Sequence, residues 1–317
     1  MLARIVNCCG FVCAFVSLAA ADAASAADPI RYCRFRAGDK VAYGLVEGDR
    51  VRELTGEFAA WTKTETTHSL RDVELLVPSE PTQILALAGN YESHLGNEDT
   101  ITTTITTVVT VKTDRKTGET KTNTTTTEET RRSGDVPEKF RIPQPFFKSP
   151  SGLVPHGGQI RVPHDSQVVH YEAELVIVIG KTATNVPKDQ ALDYVLGVTA
   201  GNDVSERVWQ KADVQWWRAK GSDTFAPCGP FIVAGVNYDD LLLELRLNGE
   251  TKQKERTSHM IQDVPSIVSF ISEHVTLHPG DLIYTGTSGT TTPIKPGDVV
   301  EVELEEVGVL RNEVVAE

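Results

Sequence analysis

The stretch that most constrains the fold of this chain is His170–Lys181, with the sequence HYEAELVIVIGK, in which two carboxylates open an apolar run. Leu175–Ile179 is apolar throughout, which is typical of a strand buried on both faces. Side chains alternate between the faces of a strand, so Glu172 and Glu174 point the same way with Cα atoms about 7 Å apart. Two buried anions this close are costly unless a cation neutralises them. The pattern therefore predicts a cation held by oxygen ligands at the start of a buried strand, whereas an isolated Glu-x-Glu is more often a solvated strand end.

A third carboxylate is predicted to join this pair. Asp203 lies where the mostly apolar run Tyr194–Ala200 gives way to Gly201-Asn202 and then to the helix-like segment SERVWQKA. At such a junction, side chains project from the end of a sheet. Two glutamates and one aspartate, with no cysteine or histidine at ligand spacing, form an oxygen-only site that suits Mg²⁺ or Mn²⁺, with Ca²⁺ as the alternative. Three protein ligands leave positions open for water or substrate, as a Lewis-acid catalyst requires.

Two further segments carry candidate functional groups. Lys220 follows Trp216 and Trp217 and precedes an apolar strand, which favours a partly buried ammonium group that is aimed inward. The loop 285–290, Thr-Gly-Thr-Ser-Gly-Thr, offers hydroxyl and backbone N–H groups that can hold a substrate carboxylate. Each segment also has a structural interpretation, because a lone lysine is usually a solvated surface charge and a loop of this composition is usually a plain turn.

The first 26 residues have the pattern of a secretory signal peptide and not of a folded domain. Arg4 precedes an apolar run, Cys8–Leu18, and a segment rich in small residues ends at Ala26. The apolar run is too short to span a membrane as a helix. The sequence therefore predicts an exported protein, periplasmic or secreted, that begins near Ala27 and has no membrane association after cleavage.

Charge and cysteine content restrict the partners of the mature chain. The net charge of −13 argues against nucleic acid and anionic membrane surfaces as partners. Cys33 and Cys228 are the two cysteines that remain after cleavage, and a spacing of this length neither requires nor excludes a disulfide.

The remaining sequence predicts a mixed α/β fold that is mainly β. Residues 27–80 alternate apolar and polar positions around Gly-Asp turns, as in a small N-terminal β domain, in which Ser69–Leu76 is predicted to be a short helix. Residues 81–317 form a larger domain, in which Asp263 is predicted to cap a helix at Val264–His274. This domain carries a Thr-rich insertion at 99–135, and 16 of the 31 residues from 100 to 130 are threonine. Their β-branched side chains favour an exposed hairpin, with disorder as the alternative.

Several motifs, in their order and number, resemble the fumarylacetoacetate hydrolase family. The likeness runs from about Ile30 to the C-terminus and is interrupted at the Thr-rich insertion. The matching segments are Gly89-Asn90-Tyr91 with His94, Phe147-Lys148-Ser149-Pro150-Ser151, His170 to Leu175, Asn202-Asp203-Val204-Ser205 with Arg207 and Gln210, Lys220 with Asp223 to Pro227 and Gly229-Pro230, Asn248-Gly249 with Gln253, Thr257 and Met260-Ile261, and Thr285-Gly286-Thr287.

The resemblance implies a mixed β-roll behind a small N-terminal β domain, a homodimer, and Mg²⁺ or Mn²⁺ held by Glu172, Glu174 and Asp203. Members of the family act on 2-oxo or 2,4-dioxo acids. The first expectation is metal-dependent hydrolysis of a C–C bond in an acylpyruvate or fumarylpyruvate. The alternatives are a decarboxylase or an enol–keto isomerase on the same scaffold, and an exported binding protein that has kept the fold and lost the chemistry.

The resemblance also implies roles for individual residues. His94 would be a base on a mobile lid, and Lys220 would add positive charge at an enolate. Hydrolytic members often place a glutamate three residues after the lid histidine, but this chain has Asn97 there, so Glu98 is the predicted catalytic carboxylate and Glu92 the alternative. The loop after Thr285 departs from the family's usual Gly-Thr-Pro. The expected substrate contacts are Tyr91, Lys148, Arg207, Gln210 and Thr287.

Overall fold

The computed structural model describes residues 28–96, 101–113, 117–132 and 136–317. The predicted signal peptide and Glu98 lie outside these residues, and export and dimerisation stay predictions. The strands are β1 (Ile30–Ala37), β2 (Lys40–Glu47), β3 (Arg50–Thr55), β4 (Thr62–Ser69), β5 (Glu74–Leu75), β6 (Ile84–Leu87), β7 (Ile101–Thr113), β8 (Thr120–Arg132), β9 (Pro145–Lys148), β10 (Leu153–Val154), β11 (Gln159–Val162), β12 (Val169–His170), β13 (Ala173–Ile179), β14 (Val195–Asn202), β15 (Ser205–Glu206), β16 (Ala226–Ala234), β17 (Leu242–Leu247), β18 (Glu250–Arg256), β19 (Leu282–Tyr284), β20 (Val299–Leu304) and β21 (Gly308–Ala316).

Helices are short and few in the described ranges, as the sequence predicts. They are α1 (Glu92–Leu95), α2 (Arg207–Ala212), α3 (Trp217–Gly221) and α4 (Val264–Ser272). The side chain of Asp263 accepts the Ser266 N–H at 2.8 Å, which confirms the predicted cap of α4. No helix in the described ranges is long and apolar enough to cross a bilayer.

The N-terminal β domain is an antiparallel meander of β1 to β4 around a small core of Cys33, Phe35 and Val51. The predicted helix at Ser69–Leu76 is wrong. The structure instead has the end of β4, a single 3₁₀ turn at Leu70–Asp72 and the short strand β5, which pairs with β1. Leu70, Val73 and Leu75 pack on the meander from the turn and the strand, so the segment buries these residues without forming a helix.

One large sheet of the described chain continues from this meander into the second domain. Its main path has the order β4-β3-β2-β1-β16-β14-β13-β19-β6-β9. Within it β13 is antiparallel to both β14 and β19, and each of its residues is buried. The prediction of a fully buried strand is therefore confirmed.

A second sheet, of order β11-β21-β20-β17-β18, completes the roll. The largest apolar core lies between the sheets, with Leu175 and Ile177 from β13, Leu243 from β17 and Val300 and Val302 from β20. This core fixes β13 from behind, so the carboxylates at its start are presented at one end of the roll.

The Thr-rich segment is a hairpin in which β7 pairs with β8 in antiparallel register, with Thr110 opposite Asn123. Val108, Val109 and Val111 each leave more than half of their surface exposed. Within the described residues the two strands pair only with each other, so the hairpin is an addition to the roll and not a part of its sheets.

The two cysteines of the described residues, Cys33 and Cys228, are both buried and both free. Burial raises the pKa of each thiol to about 12. The disulfide that the spacing left open is therefore not formed in this structure.

Candidate active site

The three carboxylates that the sequence singles out meet at one place. Glu172 precedes β13, Glu174 lies in it, and Asp203 follows β14. The strands pair with Ala173 opposite Asn202, and the Asp203 N–H donates to the Glu172 carbonyl at 2.8 Å. One oxygen from each side chain lies within 4.8 Å of the others, and all three residues are buried. The register of two adjacent strands therefore assembles the cluster.

Two buried lysines neutralise part of this cluster. The Lys220 ammonium, from α3, donates to Glu172 at 2.5 Å and to Asp203 at 2.6 Å. Lys148, at the end of β9, donates to the other oxygen of Asp203 and to the Lys220 carbonyl. Burial acts to lower the pKa of Lys220, but the charges of Asp203 and Glu172 outweigh it and raise that pKa. Lys220 is therefore a permanent cation against the carboxylates.

Arg207 is the third cation of the site. Its Nη2 donates to Glu172 at 2.5 Å and to Thr291 at 2.8 Å, and its Nη1 donates to Gln210 at 2.9 Å. Burial acts to raise the pKa of Glu172, but Lys220 and Arg207 outweigh it and hold this pKa well below its usual range. Gln210, an expected substrate contact, orients the guanidinium here.

Glu174 is the carboxylate that lacks a cationic partner. Its Oε2 accepts the Gly286 N–H at 2.6 Å, while no hydrogen-bond donor among the described residues reaches Oε1. Burial, together with the charges of Asp203 and Glu172, raises the pKa of Glu174 well above its usual value. A divalent cation would supply the missing partner, and three converging carboxylates are hard ligands of the kind that Mg²⁺ and Mn²⁺ prefer. The residues present therefore fit such an ion.

The loop 285–290 packs against the carboxylate strand. Gly286 has a φ of +97°, and a Cβ there would lie 2.8 Å from the Cβ of Asn90, so a side chain has no room. The Thr287 hydroxyl donates to the Ala173 carbonyl at 2.9 Å. Gln253, which sequence reasoning gave no role beyond a family match, accepts the Ala173 N–H at 3.0 Å and donates to Thr287 at 2.8 Å. This loop is thus tied to the β13 backbone.

A cavity of about 450 Å³ opens beside the cluster and shares Arg207 with it. His94 lines it, and its Nδ1 lies 2.6 Å from the Gly289 carbonyl oxygen. Because a carbonyl only accepts, Nδ1 carries the proton, and in the neutral ring Nε2 has the free lone pair. The partner of Nδ1 among the described residues is therefore a backbone carbonyl, while Glu98 lies outside these residues and its role stays a prediction. The cavity is lined by Ser93, His94, Gly96, Val168, His170, Arg207, Lys211, Gly289, Thr290 and Thr291.

His170 and Lys211 are cavity residues that sequence reasoning did not single out as functional. Burial and the charge of Arg207 lower the pKa of His170 to about 4, so its ring is neutral at neutral pH. The only signals in the sequence were the place of His170 at the start of the carboxylate motif and the place of Lys211 next to Gln210.

The expected substrate contacts divide into two groups. Arg207 lines the cavity, whereas Lys148 and Thr287 are buried with protein partners. Tyr91 is fully buried as well, and its hydroxyl has no hydrogen-bond partner among the described residues. The structure therefore brings Lys148 and Arg207 to the carboxylates and leaves Tyr91 in the core, at the N-terminus of helix α1.

The mixed β-roll places three buried carboxylates and two buried lysines next to a cavity that His94 lines. This arrangement is typical of an enzyme with a metal centre. The chain belongs to the fumarylacetoacetate hydrolase family. The sequence-family model described as fumarylacetoacetate (FAA) hydrolase C-terminal matches residues 117–315. The family model described as Rv2993c-like, N-terminal, matches residues 30–78. Both the family and the mixed β-roll predicted from the sequence are confirmed.

Three similar proteins place the chain within the family. Protein Rv2993c of Mycobacterium tuberculosis is 36% identical over 297 residues, which cover 90% of this chain and 98% of that protein. The crystal structure of 2-hydroxyhepta-2,4-diene-1,7-dioate isomerase from Mycobacterium marinum is 36% identical, has a TM-score of 0.73, and is matched over 91% of this chain and 99% of its own. The mitochondrial oxaloacetate tautomerase fahd2 of Xenopus laevis is 40% identical over 182 residues, which are 54% of this chain and 57% of that protein.

Proposed function

We propose that this chain is a divalent-metal-dependent isomerase that interconverts the enol and keto forms of a 2-oxo acid. The observation that carries the proposal is the free Nε2 of His94 in a cavity beside the buried carboxylate cluster. The first expectation from the sequence was C–C bond hydrolysis. Isomerisation, one of its alternatives, has better support, because two similar proteins at 36% and 40% identity are named as an isomerase and a tautomerase.

Glu172, Glu174 and Asp203 would hold the ion, which the oxygen-only ligand set limits to Mg²⁺ or Mn²⁺, with Ca²⁺ as the alternative. When bound, such an ion supplies Lewis-acid stabilisation of the negative charge that an enolate carries. With Glu174 ionised as a metal ligand, the three carboxylates and the three cations Lys148, Lys220 and Arg207 cancel in formal charge. A divalent ion therefore leaves the site positive, which favours an anionic substrate.

His94 would move the proton. Its Nδ1–H is held by Gly289, so Nε2 can accept a proton from the enol hydroxyl and return one to the neighbouring carbon, or the reverse. One base serves both steps, and no water molecule is consumed. C–C hydrolysis additionally requires an activated water molecule.

The test is to follow the decay of enol oxaloacetate in the ultraviolet with the purified mature chain, with Mg²⁺, with Mn²⁺ and with a chelator. We expect decay above the spontaneous rate that requires the ion. Acylpyruvate hydrolysis and oxaloacetate decarboxylation are measured in parallel. Metal-dependent hydrolysis without enol turnover would contradict the proposal and favour a C–C bond hydrolase. No turnover of any of these substrates would favour the alternative of a binding protein that has lost the chemistry.

A further inference from the structure

We propose that Gln253 is a positioning residue that holds the proposed base, His94, at a fixed place relative to the candidate metal centre. The inference rests on the proposed function, since it adds a residue to the same reaction. Gln253 is not one of the three carboxylates, and it is not among the described residues that line the cavity. Any effect on the reaction therefore passes through the groups that Gln253 contacts.

Gln253 is a polar side chain in a core position. It lies in β18, opposite Leu245 of β17, and only 5% of its surface is exposed. Residues directly opposite each other in an antiparallel pair share a face of the sheet, and Leu245 belongs to the main apolar core. A buried amide is costly unless its hydrogen-bonding groups find partners. The partners of the Gln253 amide therefore show why a polar residue is accommodated at this position.

The amide oxygen of Gln253 holds the strand that carries the glutamates of the cluster. Strand β19 pairs with β13 only at residues 176–178, so Ala173, the residue between the two glutamates, has no strand partner on that side. Gln253 Oε1 accepts the Ala173 N–H at 3.0 Å, and the Thr287 hydroxyl donates to the Ala173 carbonyl at 2.9 Å. The two side chains thus take the place of a neighbouring strand.

The amide nitrogen of Gln253 holds the loop after β19. Its Nε2 donates to the Thr287 hydroxyl at 2.8 Å and to the Ser288 carbonyl. The next residue, Gly289, provides the carbonyl that accepts the His94 Nδ1–H at 2.6 Å. One amide therefore links the backbone between the two glutamates to the loop backbone beside the carbonyl that orients the base.

The strand is the firm end of this link, and the loop is the end that moves. Strand β13 is paired along its length with β14 and is held by β19 as well. Residues 285–290 belong to no strand or helix. Loss of the Gln253 amide would therefore shift the Gly289 carbonyl, and with it His94, while the carboxylates stay in place. A displacement of about 1 Å in a catalytic group can lower a rate by a factor of roughly a hundred.

The test is a double-mutant cycle on the mature chain with enol oxaloacetate and Mg²⁺. Gln253→Met keeps the length of the side chain and removes the amide. We expect it to lower kcat by about tenfold to a hundredfold, with the KM and the Mg²⁺ affinity changed by less than about threefold. In the His94→Gln background the same change should have no further effect on the residual rate, because a positioning residue acts through the base.

Gln83→Met is the matched control. Gln83 also donates two hydrogen bonds, to the Thr276 carbonyl and to the Asp281 carboxylate, both at 2.8 Å and away from the cavity. Its replacement should lower the melting temperature and leave kcat unchanged. If Gln253→Met does not fold, Thr287→Val, which cuts the same link at its loop end, is held to the same expectations.

A second measurement does not need turnover. In the parent, the Gly289 carbonyl holds the Nδ1–H of His94, so this proton should exchange slowly with water when it is followed by NMR. The exchange should be faster in Gln253→Met and unchanged in Gln83→Met.

The two proposals therefore fail separately. Faster exchange of the His94 proton in Gln253→Met, in a protein that converts no enol, keeps the positioning residue and loses the isomerase. Enol conversion by the parent with an unchanged kcat in Gln253→Met loses the positioning residue and keeps the isomerase. An equal loss of kcat in both backgrounds, or a Mg²⁺ affinity that falls as far as kcat, would show a general structural role and would also overturn the inference.

Discussion

The Nδ1 atom of His94 lies 2.6 Å from the carbonyl oxygen of Gly289, a residue 195 positions further along the chain. The Gly289 N–H in turn donates to the hydroxyl of Ser93 at 3.1 Å. Helix α1 is therefore fastened to the loop 285–290 through both polar groups of a single glycine. The Gly286 N–H of the same loop donates to Glu174, so the proposed base and the candidate metal centre are both held by this loop.

Replacing His94 by Gln tests its assignment as the base. We expect the kcat for enol conversion to fall by about a hundredfold to ten-thousandfold, because general base catalysis contributes a factor of that size. The Mg²⁺ affinity should not change, since His94 is not one of the carboxylate ligands. Ser93→Ala, which removes only the hydroxyl that fastens Gly289, serves as the milder control. A kcat equal to that of the parent would make His94 a structural residue.

Glu174→Gln tests the metal centre. The variant keeps an acceptor for the Gly286 N–H but loses the charge, so we expect Mg²⁺ binding by calorimetry to be lost. In a chelator, the melting temperature of the variant should equal or exceed that of the parent, because an uncompensated buried carboxylate is removed. Added Mg²⁺ should then raise the melting temperature of the parent alone. An equal rise in both proteins would place the ion elsewhere.

The carboxylate cluster could be predicted because its pattern is local. The spacing of Glu172 and Glu174 on a buried strand fixes their common direction, and Asp203 marks the end of the next strand. The hydrogen bond between His94 and the Gly289 carbonyl could not be predicted from the sequence, because a backbone carbonyl in a distant loop has no residue type that marks it. The family resemblance predicted that Lys148 and Arg207 contact the substrate. Their contacts with Asp203 and Glu172 depend on how distant strands and helices pack, which a local sequence pattern does not show.

Labelling of the Cys33 and Cys228 thiols tests whether both side chains are buried. Both Cys33 and Cys228 are free and fully buried, with pKa values raised to about 12, so neither is a thiolate at neutral pH. For a version of the protein that begins at residue 27, we expect no reaction with iodoacetamide in the native state and labelling at both cysteines after unfolding in guanidinium without reductant. Failure of both sites to label after unfolding would point to a disulfide, and rapid labelling of the native protein would contradict the burial.

The predicted signal peptide is tested on the native protein. N-terminal sequencing should begin near Ala27, since the small residues Ala24-Ser25-Ala26 form the expected cleavage site. A version that begins at residue 27 and is expressed without the leader provides the size standard. Detection of an intact Met1 in the native protein would rule out cleavage.

Deletion of residues 99–135 tests whether the Thr-rich hairpin belongs to the fold. Its two strands pair only with each other within the described residues, and the valines Val108, Val109 and Val111 are more than half exposed. The hairpin therefore buries little apolar surface against the roll, and its removal should change the melting temperature by less than about 2 °C, which corresponds to roughly 1 kcal/mol in a domain of this size. The Mg²⁺ affinity should stay the same, because none of the three carboxylates lies in the deleted segment.

Val176→Ala, which truncates a fully buried side chain of β13, is the control that should lower the melting temperature clearly. A drop for the deletion as large as for this control would show that the hairpin packs on the folded domain.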